Sequence, residues 1–284
     1  MDFLWKTRNE LQFATGKAYD VLKHEIQPLV AEGLGYTADG QMLGVEYFMR
    51  DYYLHARNIK HLTDLVCERL SGRPSVAMRT VGLIARRALD DGAILTHTHI
   101  GLPRKRRNFF NNDPFRLLGL FLDSQRFGVP LNEANQQVIK SHIHLIDDQF
   151  RHSNRASRIF LSILSAPQGV TRTLHTMHEL GVLGQYVPEF RSIDSLFQYN
   201  RYHIYTVDEH TLVAIETLET IGLTEKADCN GPIRRVLGEL QRKDLLNLAI
   251  LLRDVGKSAR DDDHSSTGAR MAQAFLKRLG LSPE

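Results

Sequence analysis

The chain has 284 residues, 42% of them apolar, and a formal charge of +3, enough for one large or two modest domains with true cores. So mild a charge argues against a dedicated nucleic-acid binder, although a local basic patch can still contact phosphate. Its two cysteines, Cys67 and Cys229, lie far apart, and neither an apolar run of about 18 residues nor a signal-peptide pattern is present. The expectation is a soluble, cytoplasmic protein of a reducing compartment with no membrane partner.

Residues 1–34 read as helix, interrupted at Gly16 and bent near Pro28. The helix starts at full amplitude at Asp2-Phe3-Leu4-Trp5, without a cap-rich lead-in, as a chain beginning in mid-domain would. Residues 36–44 form a loop with an Asp39-Gly40 turn signal. A long helix follows over about 44–71, where Val45, Phe48 and Tyr52, then Ile59, Leu62 and Val66, recur on one stripe. Ser71-Gly72-Arg73-Pro74 stops it, and a further helix is expected over about 76–90. From Ile94 to Leu102, Thr96, Thr98 and Ile100 alternate with His97, His99 and Gly101, which predicts a short strand or hairpin bearing surface histidines.

Arg104-Lys105-Arg106-Arg107 is the densest charge run, and Phe109 and Phe110 follow it. The run reads as a solvated loop whose aromatics anchor it to the core. A cation-and-stacking surface for RNA, or a phosphate-facing patch, can also be built from these groups. Asp113 and Pro114 open a helix as cap and first residue, and Gly128 closes it. Asn132 caps the next helix, to about Phe150; His142 and His144 on it are two apart and do not face each other. Pro167 opens another, closed by Gly181, and the remaining helices run over about 204–221, 232–240, 243–256 and 266–279. The fold class is therefore all-α, in two packed helical parts with at most a small β-hairpin near 94–102.

The chemistry concentrates in residues 203–264. Thr206 and Glu209 have capping-box spacing, which opens a helix and sets His210 near its start. The apolar run Leu245–Leu252 ends in Arg253-Asp254, and a glycine and a charged loop lead on to His264. A histidine, a helix-end aspartate and a loop histidine converging in this way suit a metal-centred phosphohydrolase, whose ion must keep positions open for water and phosphate.

The stretches His203-Ile-Tyr-Thr-Val-Asp-Glu-His210-Thr211, Leu251-Leu-Arg-Asp254-Val-Gly-Lys257 and Asp263-His264-Ser-Ser-Thr-Gly268-Ala269 closely resemble the HD-type hydrolase domain of the bifunctional PII uridylyltransferase/uridylyl-removing enzymes. Val45–Ala56 and Met177–Phe190 resemble the helical region behind that family's nucleotidyltransferase core. The resemblance implies a helical region over 1–190 and a partial HD-type phosphohydrolase domain over 191–284. It implies nitrogen signalling, with a PII-type protein and a uridine nucleotide as partners, and removal of UMP with Mg2+ or Mn2+. Carried over, His210, Asp254 and His264 are metal ligands, Asp254, Lys257 and His264 the catalytic group, and His203 a group that orients a ligand.

The sequence departs from the family at the name-giving His-Asp pair, which is Arg253-Asp254 here. Arginine has no acceptor and stays protonated, so it cannot ligate a metal. The Gly-Ser turn and Asp-x-Asp pair of the transferase half are also missing; the only Asp-x-Asp lies in Asp261-Asp262-Asp263. The expectation is a fragment or degenerate member of the family, with a non-catalytic helical binding or regulatory module as the alternative. Arg253 would then pair with Asp254 or with residues 261–263, or grip a phosphate bidentately.

Overall fold

The computed structural model describes residues 2–40, 42–71, 87–90, 92–103, 108–199, 205–223, 231–259 and 263–281. The expected helix over 76–86, the basic run 104–107, His203 and the acidic residues 261–262 fall outside these. The described chain is helical apart from one small antiparallel sheet, so the all-α class holds.

The first three helices are α1 (Asp2–Thr15), α2 (Gln27–Gly33) and α3 (Gly44–Ser71). The expected continuous helix over 1–34 is corrected here. Gly16 adopts φ +64°, a left-handed conformation that ends α1. The chain does not resume a helix until a 3-10 turn at His24–Ile26. Pro28 does not bend a helix but opens one, because its missing N–H is free to sit in a first turn. These helices share a small core of Leu11, Val30, Ala31, Val45, Phe48 and Met49, which Phe197 completes from far along the chain. Tyr199 fixes the same junction: its N–H donates to Glu46 Oε1 at 3.1 Å and its hydroxyl to the His24 carbonyl at 3.1 Å.

The sheet is formed by β1 (Arg87–Ala88), β2 (Ile94–Leu95) and β3 (Ile100–Gly101), in the order β1-β2-β3. Residues 87–90 are therefore not helical, contrary to expectation. Gly92, at φ +87°, turns the chain so that Leu89 N–H reaches the Ala93 carbonyl and Arg87 pairs with Leu95. Asn135, fully buried, holds the last strand by donating to the Ile100 carbonyl at 2.6 Å and accepting from Leu102 N–H at 3.3 Å.

The middle of the chain is a run of short helices: α4 (Phe109–Asn112), α5 (Arg116–Phe127), α6 (Glu133–His142), α7 (Asp148–Arg151), α8 (Asn154–Ser165), α9 (Val170–Glu179), α10 (Val182–Tyr186) and α11 (Pro188–Arg191). Asn132 caps α6 as the sequence suggests, accepting from Asn135 N–H at 2.8 Å. The helix does not reach Phe150, because Asp147 is extended and accepts from Phe150 N–H at 2.8 Å, restarting the helix as a new cap. Four helices follow: α12 (Val207–Leu223), α13 (Gly231–Glu239), α14 (Lys243–Leu252) and α15 (His264–Arg278).

One large core joins these elements, running from Ala93 through Phe121, Phe160, Tyr186, Phe190 and Leu212 to Phe275 and Leu279. Residues on both sides of 190 belong to it. The C-terminal helix is tied to the middle by a buried pair, in which Arg278 Nη1 and Nη2 donate to the two Glu189 oxygens at 2.9 and 2.7 Å. The start of α9 is tied to α12 by Glu219, whose carboxylate accepts from the N–H groups of Gly169 and Thr171.

Candidate functional site

The helix that delivers Asp254 is anchored before it arrives. Leu248, Leu251 and Leu252 face the core, and buried Asn247 donates to the Leu164 carbonyl at 2.9 Å. Past Leu252 the backbone tightens into a 3-10 turn, Val255–Ser258. Gly256 lies directly against the start of α15, where a Cβ would stand 2.0 Å from the His264 carbonyl oxygen and 2.7 Å from Gly268 N. Asp263 caps α15 by accepting from Ser266 N–H at 3.1 Å. The glycines at 256 and 268 thus let two backbone segments touch, and this closeness sets Asp254, Lys257 and His264 in one neighbourhood.

Asp254 is buried and both of its oxygens are engaged. Arg253 Nη2 and Nε donate to Oδ2 at 2.7 and 3.1 Å, and Lys257 Nζ lies 3.0 Å from Oδ1. Burial alone would push this carboxyl up, but the Arg253 and Lys257 cations outweigh it and hold the group below its ordinary value. Arg253 itself is half exposed. It stands at the edge of an apolar groove of about 430 Å³ between α14 and α15, floored by Leu248, Leu252, Ala269 and Leu276.

His210 lies in the first turns of α12, half-buried, with its N–H donating to the Thr206 carbonyl at 2.8 Å. His264 begins α15 and is also half-buried. His210, Asp254 and His264 do not bring their donor atoms within 4.8 Å of one another, and among the described residues one other group does. With both Asp254 oxygens held by cations, the residues at 254 as placed do not fit a divalent ion.

The group that does meet this geometry was not anticipated from the sequence. It comprises His178 on α9, Asp194 in the loop after α11, and Asp208 in the first turn of α12. His178 Nε2 is 2.9 Å from Asp208 Oδ2 and 3.9 Å from Asp194 Oδ1. Arg57, reaching across from α3, places Nη1 2.9 Å from His178 Nε2, 2.9 Å from Asp194 Oδ1 and 3.7 Å from Asp208 Oδ2. Ser195, at φ +54°, donates its N–H to Asp208 Oδ2 at 3.0 Å and its hydroxyl to Asp194 Oδ1 at 3.1 Å. Burial works against the charge on Asp208, yet His178, the nearby Thr206 hydroxyl and the Ser195 N–H together hold its pKa low.

These side chains border a cavity of about 360 Å³ that Tyr53, Lys60, Glu179 and Tyr205 also line. Periodicity could not have found the group, since its three members come from separate elements and the Arg57 that joins them lies 151 positions before Asp208. The available signals were Asp208, inside the 203–211 motif, and His178, inside the Met177–Phe190 stretch.

Comparison with known proteins places the whole chain. Residues 1–67 match the family described as GlnD PII-uridylyltransferase, and residues 97–186 match the uridylyltransferase GlnD third domain. The bifunctional uridylyltransferase/uridylyl-removing enzyme of Cereibacter sphaeroides is 36% identical over 284 residues, covering 99% of this chain and 30% of that protein. The chain belongs to the bifunctional uridylyltransferase/uridylyl-removing enzyme family. It spans about a third of the length of this curated relative. Among its described residues no helix is long and apolar enough to cross a membrane.

Proposed function

We propose that this chain serves a PII-modifying enzyme as its helical middle, residues 1–190, joined to a hydrolase-type frame, residues 191–284. In that frame the charge of Asp254 is balanced by Arg253 and Lys257 instead of by a metal ion. The observation that carries the reading is the full engagement of the Asp254 carboxylate. An arginine one residue away and a lysine one turn on occupy both oxygens at hydrogen-bond distance. Removing either cation with no charge to replace it would leave a buried carboxylate undercompensated.

What such a frame retains is anion recognition. Arg253 is half exposed with Nε and Nη2 on Asp254, and its planar fork suits a phosphate. The adjoining groove is apolar. The uridylyl phosphodiester of modified PII is the ligand this combination favours, held without metal-assisted cleavage at Asp254.

The test is turnover of uridylylated PII with Mn2+ or Mg2+, together with affinity for UMP. The wild-type chain should show no turnover dependent on Asp254, and Arg253→Ala should weaken UMP binding at least about tenfold. Metal-stimulated release of UMP by the wild type, abolished in Asp254→Asn, would overturn the proposal.

A further inference from the structure

We propose that His178, Asp194 and Asp208 form a divalent-cation site of the manganese or zinc class, and that the ion and the Arg57 guanidinium exclude each other there. The site is separate from Asp254 and does not rest on the reading of that carboxylate.

The first support is distance. An ion held at about 2.0–2.2 Å by nitrogen and oxygen brings neighbouring ligand atoms to about 3–3.6 Å of one another. His178 Nε2 stands 2.9 Å from Asp208 Oδ2 and 3.9 Å from Asp194 Oδ1, which brackets that range. The position such an ion would take is filled by a cationic atom, Arg57 Nη1, in contact with all three groups.

The second support is a proton count. His178 Nε2 faces both an obligate donor, Arg57, and a carboxylate oxygen, Asp208 Oδ2, each at 2.9 Å. If Nε2 carries a proton, it donates to Asp208 and opposes the Arg57 N–H, donor to donor. If it is bare, it accepts from Arg57 and sets its lone pair against the carboxylate. No tautomer satisfies both contacts. A cation bound to bare Nε2 and to Oδ2 removes the conflict, because both lone pairs then point at the ion.

The third support is unspent coordinating capacity. Asp208 Oδ1 is buried without a well-formed hydrogen bond, on a side chain only 3% exposed. Polar atoms left in this state are uncommon and call for a partner. Ser195 donates to Asp208 Oδ2 and to Asp194 Oδ1, the two oxygens that face His178 Nε2, so the ligands are positioned before any ion arrives.

Charge and space agree. Asp208, Glu179 and Glu209 on the cavity wall, with Asp194 beside them, outnumber Arg57 and Lys60. Arg57 is 30% exposed and has the cavity into which to withdraw. One imidazole with two carboxylates is a donor set for manganese or zinc, and the absence of a thiolate disfavours softer ions.

The test is calorimetric titration of Mn2+ and of Zn2+ into the whole chain, with nitrogen hyperfine coupling of bound Mn2+ by pulsed electron paramagnetic resonance as a second readout. Wild type should bind one ion with imidazole coupling. His178→Gln and Asp194→Asn should each weaken binding at least tenfold, Arg57→Met should tighten it at least tenfold, and Asp254→Asn should leave it unchanged. Should Arg57→Met lower the melting temperature by stranding the carboxylates, added Mn2+ should restore it. An Arg57→Met variant that neither binds nor is stabilised by the ion would make the cluster an ion-pair lock and overturn the proposal. Binding lost in Asp254→Asn but kept in His178→Gln would overturn it too, and would at the same time refute the metal-free reading of Asp254.

Discussion

The contact between Gly256 and the start of α15 gives a sharp test of what builds the Asp254 neighbourhood. In Gly256→Ala the new methyl would lie 2.0 Å from the His264 carbonyl oxygen and 2.8 Å from Gly268 Cα. A carbon and a carbonyl oxygen settle at about 3.3 Å or more, so the helix end must retreat by about 1.3 Å. The obstacle is backbone, which cannot rotate aside as a side chain can. Retreat on this scale loosens the packing of Phe275, buried on α15 itself, and of Leu279, buried at its end, and overpacking against backbone costs about 3 kcal/mol, the upper end of the usual range. At roughly 2–4 °C per kcal/mol for a chain of this order, the melting temperature should fall by about 6–12 °C.

Two controls separate crowding from glycine chemistry. At Gly268 the added Cβ would meet Gly256 N at 3.3 Å and Cα at 3.4 Å, a tight contact offset by the about 1 kcal/mol helix preference of alanine, so Gly268→Ala should change stability little. Gly222 in α12 has open space where a Cβ would project, with nothing within 4 Å, and Gly222→Ala should stabilise by about 0.5–1 kcal/mol. The assay is thermal unfolding by circular dichroism, with amide exchange across α15. Gly256→Ala melting within a degree of wild type would refute the claim that backbone closeness, and not side-chain packing alone, sets this turn.

Two further outcomes follow from buried charge. Glu189→Gln leaves Arg278, only 12% exposed, with a neutral partner in place of a bidentate one, and should cost about 3 kcal/mol in denaturant unfolding; a loss below about 1 kcal/mol would mean the pair is not desolvated in solution. Asp208 and Asp254 both have pKa values lowered by folding. The unfolded chain therefore binds more protons at acid pH, and the stability they contribute is complete above the ordinary carboxyl value, about 4, and is lost as pH falls below it. Denaturation midpoints measured from pH 6 to pH 3 should fall steeply below pH 4, and less steeply in Asp254→Asn; identical slopes would remove Asp254 from the acid limb.

How much of this was legible in the sequence depended on whether the deciding forces were local. The helix over 44–71 was readable because Val45, Phe48 and Tyr52 repeat at helical spacing, and the structure gives those bounds. Asn132 was readable as a cap because its partner is three residues away. The stop at Asp147 was not, since the same carboxylate chemistry looks like an ordinary helix interior until the backbone extends before Phe150. Residues 87–88 read as helix because their strand pairing is decided by Ile94 and Leu95, across a turn at Gly92. Arg253 beside Asp254 was visible in sequence, and one of its expected pairings, with Asp254, is formed. The cluster at His178 was invisible because Arg57 comes from a helix more than a hundred residues upstream.

That contrast in sequence distance also separates the two carboxylate centres physically. Arg253 and Asp254 are neighbours on the chain, so their pairing survives any movement of helices against one another. Arg57 reaches Asp194 and Asp208 only while α3 stays docked, whereas the His178 and Ser195 contacts to Asp208 come from other elements. The docking is held elsewhere by Phe197 in the small N-terminal core and by Tyr199 N–H on Glu46, and these contacts flank the loop that carries Asp194 and Ser195. The loop therefore has two anchors, one apolar and one ionic. Exchange of the guanidinium for an ion would relieve the ionic anchor while leaving the apolar one in place. A cation at His178 would thus be felt along α3, and Asp254, compensated by its own sequence neighbours, would not register it.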